Sequence, residues 1–93
     1  MPKYLIERRL PGSGKLSPEE LRGIAQKSNG VLRDLTQEGK DVQWLPSYVT
    51  DDTIHCVYVA SDPEAVLEHA RCGGFPADTI MRVRTVIDPT TAE

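Results

Sequence analysis

Two histidines and two cysteines, His55, Cys56, His69 and Cys72, carry the soft-ligand chemistry of this sequence. Imidazole and thiolate are the ligands that borderline transition metals prefer. His69 and Cys72 stand three apart in "EHARCGGFPADTI". On a helix that spacing sends two side chains in similar directions, close enough to chelate one ion. Glu68 lies about 100° round the helix from His69 and is a poorer partner. His55 and Cys56 are adjacent, so on a strand they leave opposite faces and cannot share an ion without a bulge. A complete site therefore needs a third ligand from a neighbouring element or a second subunit. The metal candidates are His69, Cys72 and His55. Against them stand plainer roles: His69 as a helix-end histidine beside the C-terminal dipole, and Cys72 as a small half-buried filler.

Catalytic chemistry is less marked. A reactive cysteine needs a nearby cation or a helix N-terminus to lower its pKa. Cys72 falls at a helix C-terminus, which disfavours the thiolate, and Cys56 reads as a packing residue. General acid–base work has candidates in His55, Glu7, Tyr48 and Tyr58. That reading rests on fold analogy, and fold does not fix function. No catalytic motif stands out, and no catalytic residue is assigned.

The elements that position these residues are easier to read. "KYLIERRL" (residues 3–10) is strand-like and stops at Pro11-Gly12. Ser17, Pro18 and Glu20 then make a capping box with proline at the first helical position, and Leu16 and Leu21 add a hydrophobic staple. Leu21, Ile24, Ala25, Ser28, Val31, Leu32 and Leu35 follow at helical spacing, an apolar stripe about twenty residues long. Gly23 and Gly30 weaken this helix, with a kink allowed near Asn29-Gly30, and Gly39 ends it. "VQWLPSYVT" (42–50) and "TIHCVYVA" (53–60) form a hairpin through Asp51-Asp52, with Pro46 marking the first as an edge strand. A second helix starts at Asp62-Pro63, buries Val66, Leu67 and Ala70, and ends at Gly73-Gly74, with Pro76 completing the turn. "TIMRVRTVI" (79–87) is the last strand. The order predicts an α+β, ferredoxin-like βαββαβ domain over 1–88: a four-stranded antiparallel sheet with two helices on one face. Residues 89–93 are read as a loose tail.

Strand parity predicts what the other face carries. The aliphatic set Val57, Val59, Leu45, Val49, Met81 and Val83 suits the helices. Trp44, Tyr48, Cys56, Tyr58, Arg82 and Arg84, with Leu5 and Glu7, then gather on the bare face as candidates to line a ligand cavity. A bare face of aromatic residues is one that soluble monomers avoid, and a symmetric dimer covers it. A homodimeric α/β barrel is expected, with a small polar or anionic ligand against the arginines, or Glu7 simply paired with them.

Composition bounds the partners. The 93 residues suit one domain with a thin core, and a net charge of −3 with eleven scattered Lys and Arg argues against nucleic acid and anionic membranes. No apolar run approaches a membrane span, and "MPKYLIERRL" is too charged for a signal-peptide core. A cytoplasmic protein with two free thiols is expected.

The joint order of "YLIER" with "LPG", "SPEEL", "W…SYVTDD" into "CVYVA", and "EHAR…GGFPADTI" resembles a small uncharacterised family of ferredoxin-like, dimeric α/β-barrel proteins that includes nickel-binding members. It covers nearly the whole chain. The resemblance implies a βαββαβ subunit, a homodimer, and binding of nickel or another divalent metal rather than a defined reaction. Metal-binding members look richer in histidine at the end of the first strand and before Pro-Ala. Those positions here hold Arg8, Arg9 and Phe75, and His69 is retained. The function expected is a small homodimeric binding protein for nickel or another divalent metal. The alternative is a small-molecule enzyme, of isomerase or oxygenase type, using a cavity between sheet and helices.

Overall fold

A computed structural model describes residues 1–75 and 77–93. The chain runs β1 (Lys3–Arg9), α1 (Pro18–Gln37), β2 (Val42–Val49), β3 (Thr53–Ala60), α2 (Pro63–Gly73) and β4 (Thr79–Arg82). The strands pair antiparallel in the order β2-β3-β1-β4, which places β1 and β3 at the centre. This is the ferredoxin-like α+β arrangement.

Both helices begin as their sequences dictate. The Ser17 hydroxyl accepts from the Glu20 N–H at 3.1 Å, and the Glu20 carboxylate accepts from the Ser17 N–H at 3.0 Å. Together they satisfy two of the donors a helix start leaves orphaned. From there α1 runs unbroken through Gly23 and Gly30. The Asp62 carboxylate caps α2 by accepting from Ala65 N–H at 2.9 Å. At the far end Gly74 adopts a φ of 67°, so the chain reverses and Phe75 N–H reaches the Ala70 carbonyl at 2.9 Å. Pro76, read as part of that turn, lies outside the described residues.

On β3 the division of sheet faces is the reverse of the sequence-based expectation. Tyr4, Ile6 and Arg8 of β1, and Ile54, Cys56, Tyr58 and Ala60 of β3, are buried beneath the helices. His55, Val57 and Val59 take the open face instead, beside Leu5 and Glu7 of β1. Both parities of β3 are apolar, so hydrophobicity alone does not mark the inward one. The helices resolve it. Their inner surfaces carry small residues, Ser28 on α1 and Ala65 and Ala70 on α2, which leave room for tyrosine rings beneath.

Pro46 sits on an edge strand, as expected, and the register breaks between Trp44 and Ser47. Trp44 lies opposite Tyr58 and Ser47 opposite Cys56, so both take the inward side. The break moves Tyr48 to the open face opposite His55, separating it from Trp44. β4 also ends earlier than its sequence suggests. Val83 N–H still reaches the Lys3 carbonyl at 2.9 Å, but β1 begins at Lys3. Residues 84–87 therefore overhang the sheet, leaving Val86 and Ile87 exposed. The tail read as loose forms a 3₁₀ turn, Pro89–Ala92, capped by Asp88.

The loop after β1 is clasped to the β2–β3 turn. Ser13 donates its hydroxyl to the Thr50 carbonyl at 2.8 Å, and Gly14 N–H donates to the Asp51 carbonyl at 3.0 Å. A Cβ on Gly14 would lie 2.9 Å from the Asp51 Cα, so glycine is what permits this approach. The result is a slab with extents of 41 × 35 × 20 Å. Its thin dimension holds one layer of helix and one of sheet.

Candidate ligand site

Arg8 is the centre of the interior polar cluster. It ends the inward row of β1 and is 4% exposed. Its Nε donates to Cys56 Sγ at 3.4 Å, and its Nη2 donates to the Tyr58 hydroxyl at 3.3 Å. The guanidinium carbon stands 5.6 Å from the centroid of the Phe75 ring, within cation–π range. Lys27 approaches the same ring at 5.7 Å.

His69 enters from α2 and is 1% exposed. Its Nε2 lies 3.0 Å from the Ser28 hydroxyl of α1, which ties the two helices together. The imidazole packs against Tyr58 and Phe75, with ring centroids 5.1 and 5.3 Å away. Its Nδ1 has no hydrogen-bond partner among the described residues. Burial, then the charge of Arg8, pulls its pKa down to about 4, with the Ser28 contact acting weakly the other way. The ring is neutral at pH 7. Tyr58 is displaced upward to about 12, chiefly by burial and then by Cys56, while Arg8 opposes the shift. Its phenol keeps its proton and can donate.

A cavity of about 270 Å³ opens between α1 and the sheet beside this cluster. Arg8, Ser28, Cys56 and Tyr58 supply its polar wall, and Trp44 and Phe75 supply aromatic surface. The Trp44 indole N–H is fixed by the Ser47 hydroxyl at 2.9 Å.

The residues singled out from sequence divide among three places. Trp44, Cys56 and Tyr58 line the cavity. Glu7, His55 and Tyr48 share the open face, with Glu7 and Tyr48 each directly opposite His55 on neighbouring strands. The hydroxyl of Thr53 holds His55 Nε2 at 3.0 Å. Arg82 lies opposite Tyr4 on the edge strand and is exposed, and Arg84 belongs to the exposed overhang. His69 and Cys72 are not brought together. The inner stripe of α2 is Ala65, Val66, His69, Ala70 and Gly73, and Cys72 falls outside it, exposed and 3.7 Å from Glu68. Among the described residues no group of three His, Cys, Asp or Glu side chains converges as a metal cage would require.

Sequence reasoning passed over Arg8, Ser28 and Phe75 as site residues. Two signals were present: Arg8 shares parity with the apolar Tyr4 and Ile6, and Ser28 is the polar member of an otherwise apolar helix stripe.

Gly73 is buried where α2 meets Phe75, and a Cβ there would run into the Phe75 ring. Gly73→Ala is expected to push that ring off His69 and Arg8. Overpacking costs about 1–3 kcal/mol, against about 1 kcal/mol gained in helix propensity. Urea unfolding should show a small net loss, together with shifted His69 ring resonances. Unchanged resonances would mean that the ring does not pack as described.

The fold defines the class: a ferredoxin-like α+β protein. The model of the SCO4226-like family, described as nickel responsive proteins, matches residues 4–83, and the chain belongs to that family. Among solved structures, the crystal structure of SCO4226 from Streptomyces coelicolor A3(2) matches with a TM-score of 0.74. The two are 20% identical, and the match covers 91% of this chain and 99% of that one. No match was found among curated protein sequences. Among the described residues no helix is long and apolar enough to cross a membrane.

Proposed function

We propose that this is a small cytoplasmic homodimeric binding protein that joins its second copy through the open sheet face and takes nickel or a similar divalent metal there. The observation that carries the reading is the placement of Glu7 directly opposite His55 on the two central strands of that face. Side chains in such a pair stand about 5 Å apart. A carboxylate and an imidazole are suitable donors for a borderline dication, but two donors are an incomplete set. A second copy doubles them.

The interior fits a metal less well. The unpartnered Nδ1 of His69 is a donor of the right kind. Arg8, however, is close enough to lower the pKa of that ring. At about 5 Å and an effective dielectric constant near 20, a dication and a guanidinium repel by about 7 kcal/mol.

Surface area supports the dimer. The chain exposes 6309 Å², roughly 900 Å² more than a compact monomer of its mass. A standard interface buries about 800 Å² per partner. Half-buried Leu5, Val57 and Val59 beside exposed Met81 give the face an apolar centre. Cys56 and Cys72 are both unpaired, as suits a reducing compartment.

Calorimetric titration with nickel, paired with light scattering, tests this reading. Wild type should be dimeric and take up nickel. His55→Ala should lose the uptake, His69→Ala should keep it, and Val57→Glu should give a monomer. A monomeric wild type, or uptake lost in His69→Ala but kept in His55→Ala, overturns it.

A further inference from the structure

The polar side chains described along the cavity beneath α1 are all bonded within the protein. Arg8 donates to Cys56 and Tyr58, Ser28 is bonded to His69, and Ser47 holds the Trp44 indole N–H. Arg8 is therefore part of the wall and not an open binding group. No Asp or Glu is among the described residues that line the space. What remains for a ligand is aliphatic and aromatic surface: Leu21 and Ile24 of α1, Ile54 of β3, and the rings of Trp44 and Phe75.

Water is poorly served in such a hollow. The space of about 270 Å³ has room for several waters at about 30 Å³ each, and each needs roughly two to four polar partners. Their displacement by an apolar group is favourable. An apolar cavity of about 150 Å³ takes benzene, so this one admits a substituted ring.

We propose that this cavity binds a small neutral ring compound, a substituted benzene or an alicyclic molecule of similar bulk. The ring lies among Leu21, Ile24, Trp44 and Phe75, and burial of its apolar surface supplies the affinity. Charged relatives are disfavoured for two reasons. A carboxylate would lose its hydration, and could bond Arg8 only by displacing the partners that Arg8 already has. A cation would be repelled by the Arg8 guanidinium. The site lies inside each subunit and is independent of metal at the open face.

Trp44 is the single tryptophan of the chain, so its indole N–H gives one identifiable NMR resonance at the cavity wall. Three probes of one shape differ in charge: acetophenone is neutral, benzoate anionic and benzamidine cationic. Each is titrated into isotope-labelled, metal-free protein. Acetophenone should shift the Trp44 resonance saturably, with a Kd on the order of 0.1–1 mM. Benzoate and benzamidine should bind at least tenfold more weakly. Ala25→Leu adds bulk at the cavity wall and should weaken acetophenone at least tenfold, while Gln26→Leu, exposed on the same helix, should not. Should Ala25→Leu fail to fold, the order of the three probes on wild type decides. A charged probe that binds as tightly as acetophenone, acetophenone binding undiminished in Ala25→Leu, or no saturable shift up to about 10 mM would overturn the proposal.

Discussion

Lowering the pH from 7 to 4.5 is expected to cost the fold about 2–3 kcal/mol through His69 alone. The folded-state pKa is about 4, against 6.5 for an unperturbed histidine. Between those values the unfolded chain takes up a proton that the folded chain refuses, so unfolding is favoured progressively as the pH falls. The contribution is complete above pH 6.5 and is lost on the way down to about 4. The cause is local. A charged imidazole here would be buried at 1% exposure beside the Arg8 guanidinium, with Tyr58 and Phe75 around it and no carboxylate in contact among the described residues. Glu20 and Asp88 have lowered pKa values through their capping hydrogen bonds. Their contributions fade only as the pH falls through and below the ordinary carboxylate range, and they are the same in wild type and in a His69 variant. Urea unfolding at several pH values measures the slope. His69→Gln, which can still bond Ser28, should flatten it. An equal slope in wild type and variant would sink this account of His69.

Ile6→Ala is expected to cost about 3–4 kcal/mol, the range for emptying a buried aliphatic site that cannot collapse. Ile6 is fully buried on a central strand, between Cys56 on one side and Ile80 on the other. Strands flank it and helices cover it, so little can move into the space. For a domain of this size that is a large part of its total stability. If two copies associate, the unfolding midpoint should also rise with protein concentration, because the pair binds only the folded form. A loss below about 1 kcal/mol would show that the core does not close around β1 as described.

The sequence was most legible where signals were local. Ser17 with Glu20, Asp62 with Pro63, and Gly39 and Gly74 marked the helix ends because capping depends on residues only a few positions apart. The alternation of strands and helices then left little choice of topology. What could not be read was set by distant contacts. The inward parity of β3 depends on how closely helices with small inner residues approach the sheet. The parting of Tyr48 from Trp44 depends on a register break that shows only once β2 pairs with β3. The early end of β4 depends on where β1 begins, seventy-odd residues earlier. The site suffered most. His69 and Cys72 look like a chelating pair by spacing, yet the helix buries one and exposes the other. The cluster that does form, Arg8 with Cys56, Tyr58, His69 and Ser28, draws on four separate elements. No short motif announces it.

Pro46 and the register break beside it bear on how molecules of this protein behave in a crowd. They lie on β2, along one free margin of the sheet. A strand arriving from another molecule would meet a missing donor and a broken repeat halfway along. Ribbon growth along that side is therefore hindered. Two copies meeting face to face bury the same patch on each other and leave nothing for a third. The proline beside the break that parts Tyr48 from Trp44 thus also disfavours fibres that keep growing along this margin.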